Sequence, residues 1–142
     1  MKLRSAAKVL LRRRSDGAYL ILTSSKWEDN HLRSQKPDLP GGMVEPGESL
    51  ITGLQRELVE EIGFTVSEDD LELVFASTYI EEAEDTSITF LLYFAEVDDI
   101  EVTLSWEHES FEWMSAEAVM GIEIRPPYPA IFSHFKTVGL LR

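Results

Sequence analysis

The 142-residue chain has no cysteine, and this absence excludes disulfides, thiol nucleophiles and cysteine-ligated metal sites, as suits a reducing cytoplasm. Positive charge is scarce as well: 13 Lys and Arg stand against 26 Asp and Glu, a formal net charge of -13. A field of that sign opposes broad binding to nucleic acid or to an anionic membrane. A polyanionic substrate would need bridging cations. No repeat, low-complexity segment or internal linker interrupts the chain. What is present is the composition of a folded protein, 44% hydrophobic and 27% charged with seven Phe and three Trp. The length suits one domain spanning residues 1–142, working as a monomer or homodimer.

Met1 to Arg14 has the basic start and short apolar run of a signal peptide, but Lys8 interrupts the run and Arg12, Arg13 and Arg14 follow at once. The segment reads instead as a strand. Residues 5–13 and 18–25 are β-prone and flank Ser15-Asp16-Gly17, which predicts a hairpin. A polar loop then runs to Leu39-Pro40-Gly41-Gly42, and Pro46-Gly47 marks a turn. Residues 49–62 predict a helix: Ser49 is its N-cap, Leu50, Leu54 and Leu58 form its apolar stripe, and Gly63 stops it. Two long β-rich runs, 71–83 and 86–98, predict a second antiparallel hairpin. Residues 111–115 read as a short strand, 115–120 as a short helix capped by Ser115, and 128–142, after Pro126-Pro127, as a C-terminal helix. This order predicts an α+β fold with helices packed on a mixed sheet.

The helix at 49–62 poses a question, because it gathers Glu57, Glu60 and Glu61 in its last two turns. Carboxylates at the negative end of a helix dipole cost about 0.3 to 1 kcal/mol each, and like charges three or four residues apart add about 0.2 to 0.5 kcal/mol per pair. At about 100° per residue, Glu57 and Glu61 share a face with Glu60 beside them, so the three are expected to converge on one spot. Gly53 lies one turn earlier on that side, at a cost of about 1 kcal/mol relative to Ala, and is expected to leave room for another backbone or a ligand. Oxygen ligands without His or Cys nearby suit Mg²⁺ or Mn²⁺ better than zinc, and such a cation would offset the crowded charge. A solvated acidic face is the bland alternative.

At every defined position, the stretch from Gly42 to Phe64 resembles the Nudix box, G-x5-E-x7-R-E-U-x-E-E-x-G-U. Its residues here are Gly42, Glu48, Arg56, Glu57, Leu58, Glu60, Glu61, Gly63 and Phe64, the last at the loose edge of its class. The resemblance implies a Nudix-type α/β/α sandwich and a Mg²⁺- or Mn²⁺-dependent hydrolase of nucleoside diphosphates linked to another moiety. It also implies that Glu57, Glu60 and Glu61 bind metal, with the Gly41 carbonyl as a further ligand. Glu48 would support the metal site, and Arg56 would orient the carboxylates, Glu57 first. For the general base, the family often draws a glutamate from a later loop. Glu107, in Glu107-His108-x-x-Phe111-x-Trp113, is the choice over Glu109, Glu112, Glu82 and Glu84, with His108 taken as structural.

Substrate recognition is less specified. Arg33 and Lys36 are candidate phosphate contacts, and Trp27, Tyr79, Tyr128 and Phe132 are candidate stacking residues. Small-molecule nucleotides are the expected ligands. A nucleotide-sensing domain without catalysis is the main rival, which intact Glu57, Glu60 and Glu61 oppose. The same fold serves an isoprenoid diphosphate isomerase, whose active-site cysteine is missing here.

Overall fold

The computed structural model describes residues 1–27 and 34–142. Among these, the elements in chain order are β1 (Lys2–Arg13), β2 (Tyr19–Ser24), β3 (Pro37–Asp38), β4 (Gly41–Met43), α1 (Leu50–Ile62), β5 (Glu72–Glu81), β6 (Thr86–Val97), β7 (His108–Met114), α2 (Ala116–Gly121) and α3 (Tyr128–Thr137). The strands form one mixed sheet in the order β3-β2-β1-β6-β5, with β4 added to β1 and β7 to β2. No helix among the described residues is long and apolar enough to cross a membrane.

β1 lies at the centre of this sheet because its alternate residues are apolar on both faces. Ala6 and Leu10 point to one core cluster, Ala7, Val9 and Leu11 to the other. β6 repeats the pattern, with Phe90 and Leu92 on the first face and Tyr93 and Ala95 on the second. Helices cover both faces, which makes the three layers. Leu54, Leu58 and Ile62 of α1 are fully buried on the second face, and Tyr128, Ile131, Phe132 and Phe135 of α3 on the first. Each such aliphatic side chain contributes about 1.5 to 3 kcal/mol on burial.

The first predicted hairpin survives only at its turn. β1 and β2 are in register at Arg12 and Tyr19, but residues 6–8 of β1 pair with β4, and the whole of β1 runs parallel to β6. β4 takes the ladder position that a simple hairpin would have given to β2. The second hairpin forms as expected, from β5 and β6. α1 begins at Ser49, whose Oγ accepts from the Thr52 amide at 3.1 Å, and ends at Gly63 with φ 69°. Ser115 caps α2 in the same way, accepting from the Ala118 amide.

Candidate active site

The Leu39-Pro40-Gly41-Gly42 turn and the last two turns of α1 meet at one cleft, of about 230 Å³. Its apolar wall comes from the β1 and β6 face that carries Ala6, Ile88 and Phe90, with Met43 beside them. Its charged lining comprises Lys8, Asp38, Glu57, Glu61, Glu81, Glu84, Glu107 and Arg125.

Two glycines let the helix carboxylates reach it. A Cβ on Gly41, whose φ is 122°, would lie 2.1 Å from the Ala7 carbonyl oxygen, so no other residue fits against β1 there. One on Gly42 would lie 2.7 Å from the Glu57 carboxyl carbon. Glu57 therefore rests directly on the strand backbone. Glu61 goes deeper, where its Oε1 accepts from the Gly41 amide at 2.7 Å and its Oε2 lies 3.4 Å from Nε2 of the buried His108.

The three helix carboxylates do not converge as the sequence led us to expect. Glu61 is buried, Glu57 is half-buried, and Glu60 turns outward with its side chain 52% exposed and outside the cleft lining. Arg56 contacts both Glu57 and Glu60. Its Nε and Nη2 form a two-pronged contact with Glu48 at 2.8 and 2.9 Å, while Nη1 donates to Glu57 at 3.1 Å and Glu60 at 3.3 Å. Nη2 also donates to the Met43 carbonyl. Arg56 thus reaches Glu57 more closely than Glu60, while its shortest contacts form the fork to Glu48. The space at Gly53 is taken up by side chains: a Cβ there would meet Glu48 Oε1 at 2.9 Å and Val44 Cγ1 at 3.2 Å. Part of the charge crowding is relieved within the protein, because Arg56 answers the carboxylates and the amides of Thr103 and Ser105 donate to the C-terminal carbonyls of Ile62 and Glu61.

Beneath the carboxylates lies a network the sequence reading missed. Lys8, buried in β1, donates to both Asp38 oxygens at 3.3 Å, to the Leu39 carbonyl at 3.1 Å and to the Gly41 carbonyl at 2.9 Å. Asp38 also accepts from the Leu39 amide at 2.8 Å and from the Tyr128 hydroxyl at 2.5 Å. Burial pushes the Asp38 carboxyl up, but Lys8 above all, with Arg125 and the Tyr128 hydroxyl, brings it below its ordinary value. Glu61 goes the other way: burial, reinforced by Asp38 and Glu57, outweighs Lys8 and the Gly41 amide and raises it to about 8. Burial also raises Glu57, against the pull of Arg56. Arg56 and the Glu45 amide hold Glu48 down to about 2. The signal for this network was Lys8 itself, a charge inside an otherwise apolar strand.

Of the remaining expected site residues, Gly63 stops α1 as predicted, with Thr103 packed against it. Glu107 and Glu84 line the cleft, whereas Glu82, Glu109 and Glu112 do not. Lys36 is exposed and outside the lining, and Arg33 falls outside the described residues. Tyr128 and Phe132 are core residues, Tyr79 packs beside the same core, and Trp27 meets Trp106 with ring centroids 5.3 Å apart.

An all-oxygen donor set at a cleft suits a hard divalent cation. The burial that raises Glu61 also supports the fit, since a cation would restore its charge. The fit is to individual ligands and not to a finished cage. No three Asp, Glu or His side chains among the described residues are already gathered at metal-binding spacing.

Comparison with known proteins places the chain in context. Residues 2–135 match the NUDIX domain family. The chain is similar to nucleoside triphosphatase NudI of Escherichia fergusonii, 29% identical over 114 residues covering 72% of this chain and 77% of that protein. It is similar to the asymmetrical bis(5'-nucleosyl)-tetraphosphatase of Sus scrofa, 30% identical over 126 residues and 82% of each chain. Among solved structures, the MutT protein from Methanosarcina mazei Go1 superposes with a TM-score of 0.82 at 29% identity, covering 96% of this chain and 95% of that one.

Proposed function

As a member of the Nudix family the chain is a pyrophosphohydrolase acting on acid anhydrides, and we propose that it cleaves a nucleoside diphosphate linked to another moiety, with Mg²⁺ or Mn²⁺ as cofactor. The observation that carries this reading is the cleft, which places Glu57 and Glu61 against Gly41 and Gly42 and adjoins them to an apolar wall of Ala6, Ile88 and Phe90. A nucleotide has the same two parts, one charged and one planar and apolar.

Glu57, Glu61 and the Gly41 carbonyl hold the cation in this reading, with Glu60 approaching from the exposed side. When bound, the cation neutralises phosphate charge and lowers the pKa of the attacking water. Arg56 and Glu48 fix the Glu57 carboxylate, and Gly42 leaves it the room. Glu107, in the same cleft, takes the proton from water as its oxygen attacks phosphorus and the anhydride P–O bond breaks. The unit is a single domain over residues 1–142, a monomer or homodimer of the cytoplasm, and its ligands are small nucleotides. Relatives named for nucleoside triphosphates and for a dinucleoside tetraphosphate support this substrate range.

The test is a panel of nucleoside triphosphates, dinucleoside polyphosphates, nucleotide sugars and ADP-ribose, with Mg²⁺, with Mn²⁺ and with chelator, and with identification of products. Metal-dependent release of a mononucleotide or of phosphate is expected from at least one. Binding without turnover across the panel would establish the sensor reading instead.

A further inference from the structure

Arg125 lies in the loop between α2 and α3 and lines the same cleft as six carboxylates; its charge is felt at Asp38, yet among the described residues no carboxylate lies within ion-pair or hydrogen-bond distance of it. Its guanidinium instead sits over the Tyr128 ring, 5.8 Å from the centroid. Tyr128 is itself fully buried and tied through its hydroxyl to Asp38. The cation is therefore seated on a rigid aromatic platform with its donors unspent, beside the apolar wall that Ile88 and Phe90 present. Glu81 and Glu84, which line the same cleft, offer only acceptors when ionised.

We propose that Arg125 is a specificity residue that selects nucleobases presenting two adjacent hydrogen-bond acceptors, guanine through O6 and N7 or cytosine through O2 and N3. The reasoning rests on the nucleotide reading of the cleft. A guanidinium is a rigid fork of parallel donors, and its best partner is a pair of neighbouring acceptors. Arginine bidentate to guanine O6 and N7 is the commonest base-specific contact of this kind. Adenine separates N1 from N7 by its N6 amino donor and leaves N3 isolated, and uracil and thymine place N3–H between their carbonyls, so none of these can accept both prongs. Glu81 and Glu84 complete the match by accepting from the amino group that guanine and cytosine both carry. A phosphate contact would also satisfy an arginine, but it would favour every nucleotide equally.

The experiment is kcat/KM for GTP, CTP, ATP and UTP at saturating Mg²⁺, in the wild type, Arg125→Lys and Arg125→Ala. The wild type should favour GTP or CTP over both ATP and UTP by about tenfold or more, the scale of one bidentate contact. Arg125→Lys keeps the charge without the fork and should bring the four substrates to within about threefold, mainly by raising KM for the favoured base. Unchanged melting temperatures are expected, since the side chain is partly exposed. A wild type without base preference, a preference that persists in both variants, or an equal loss on all four substrates overturns the role of Arg125 and leaves the nucleotide reading standing. Absence of turnover with every nucleotide overturns that reading itself.

Discussion

Two cations organise this site at different depths. Lys8 works inside the sheet, where Asp38 and the carbonyls of Leu39 and Gly41 surround an ammonium that is almost fully buried. Arg56 works on the helix surface, where Glu48, Glu57 and Glu60 share a guanidinium that remains in contact with solvent. The inner clamp sets the backbone of the Leu39-Pro40-Gly41 turn, whereas the outer one sets side chains. Depth decides what each is worth. A buried charge that loses its partner must remain unsolvated, while an exposed one finds water.

The comparison breaks most readily at its inner member. Lys8→Met removes the cation and strands Asp38, and it should lower the unfolding free energy by about 3 to 5 kcal/mol, the range for breaking a buried pair. Urea titration measures this, and a loss below about 1 kcal/mol would show the two clamps to be equivalent. Next comes the outer clamp's reach into chemistry. Glu57→Gln should lower kcat about a hundredfold or more, equivalent to about 2.7 kcal/mol of barrier, while circular dichroism and melting remain close to the wild type. Near-normal turnover would remove Glu57 from the site.

Between the clamps sits Glu61, whose titration sharpens the contrast. Its carboxyl is raised from 4.5 to about 8 in the folded protein, so the folded state holds the proton more tightly than the unfolded chain. The stability this contributes is whole below about pH 4.5 and is lost as pH rises toward 8. In chelator, the wild-type melting temperature should fall across that window, and Glu61→Gln should flatten the decline. Parallel slopes for the two proteins would refute the assignment. Glu48, held at about 2 by Arg56, has the opposite sign: its contribution is present above about pH 4.5 and fades as pH drops toward 2.

The smallest effect is expected at Glu60. Glu60→Gln removes one charge from the negative end of α1 together with a long contact to Arg56, and in chelator it should change stability by less than about 1 kcal/mol. A wild type bound to Mg²⁺ at ten times its Kd should gain about 1.4 kcal/mol, a rise of a few degrees, and the variant should gain less. Equal Mg²⁺ shifts would assign Glu60 to Arg56 alone.

Much of this was legible in the sequence because it is local. Ser49, the leucine stripe and Gly63 delimit a helix through contacts within one or two turns, and the same logic found α2 from Ser115. The Nudix box was legible for a related reason, since its residues sit at fixed spacing on one turn and one helix. Three things were not. β4 displaces β2 from the middle of β1 through pairing between residues some 35 apart, which strand periodicity cannot encode. The fork that Arg56 makes with Glu48, eight positions earlier, is a contact between turn and helix that helical periodicity does not mark. Asp38 meets Tyr128 and Arg125, which share one turn, only through tertiary packing, and nothing near Asp38 in the chain marks the meeting.

The parallel pairing of β1 with β6 has a consequence in time. Every β1 residue is matched with one 84 positions later, from Lys2 with Thr86 to Arg13 with Val97. At about 5 to 20 residues per second, a nascent chain would wait roughly 4 to 17 s between making the first strand and making its partner. One hydrogen-bonding edge of β1 stays unpaired through that interval, a natural target for chaperones. Closing so long a loop also carries an entropic penalty that only the finished central pair can offset. Completion of the sheet beneath the cleft is thereby deferred: Lys8 can meet Asp38, Leu39 and Gly41 early, but its strand gains β6 only after residue 97 has been synthesised.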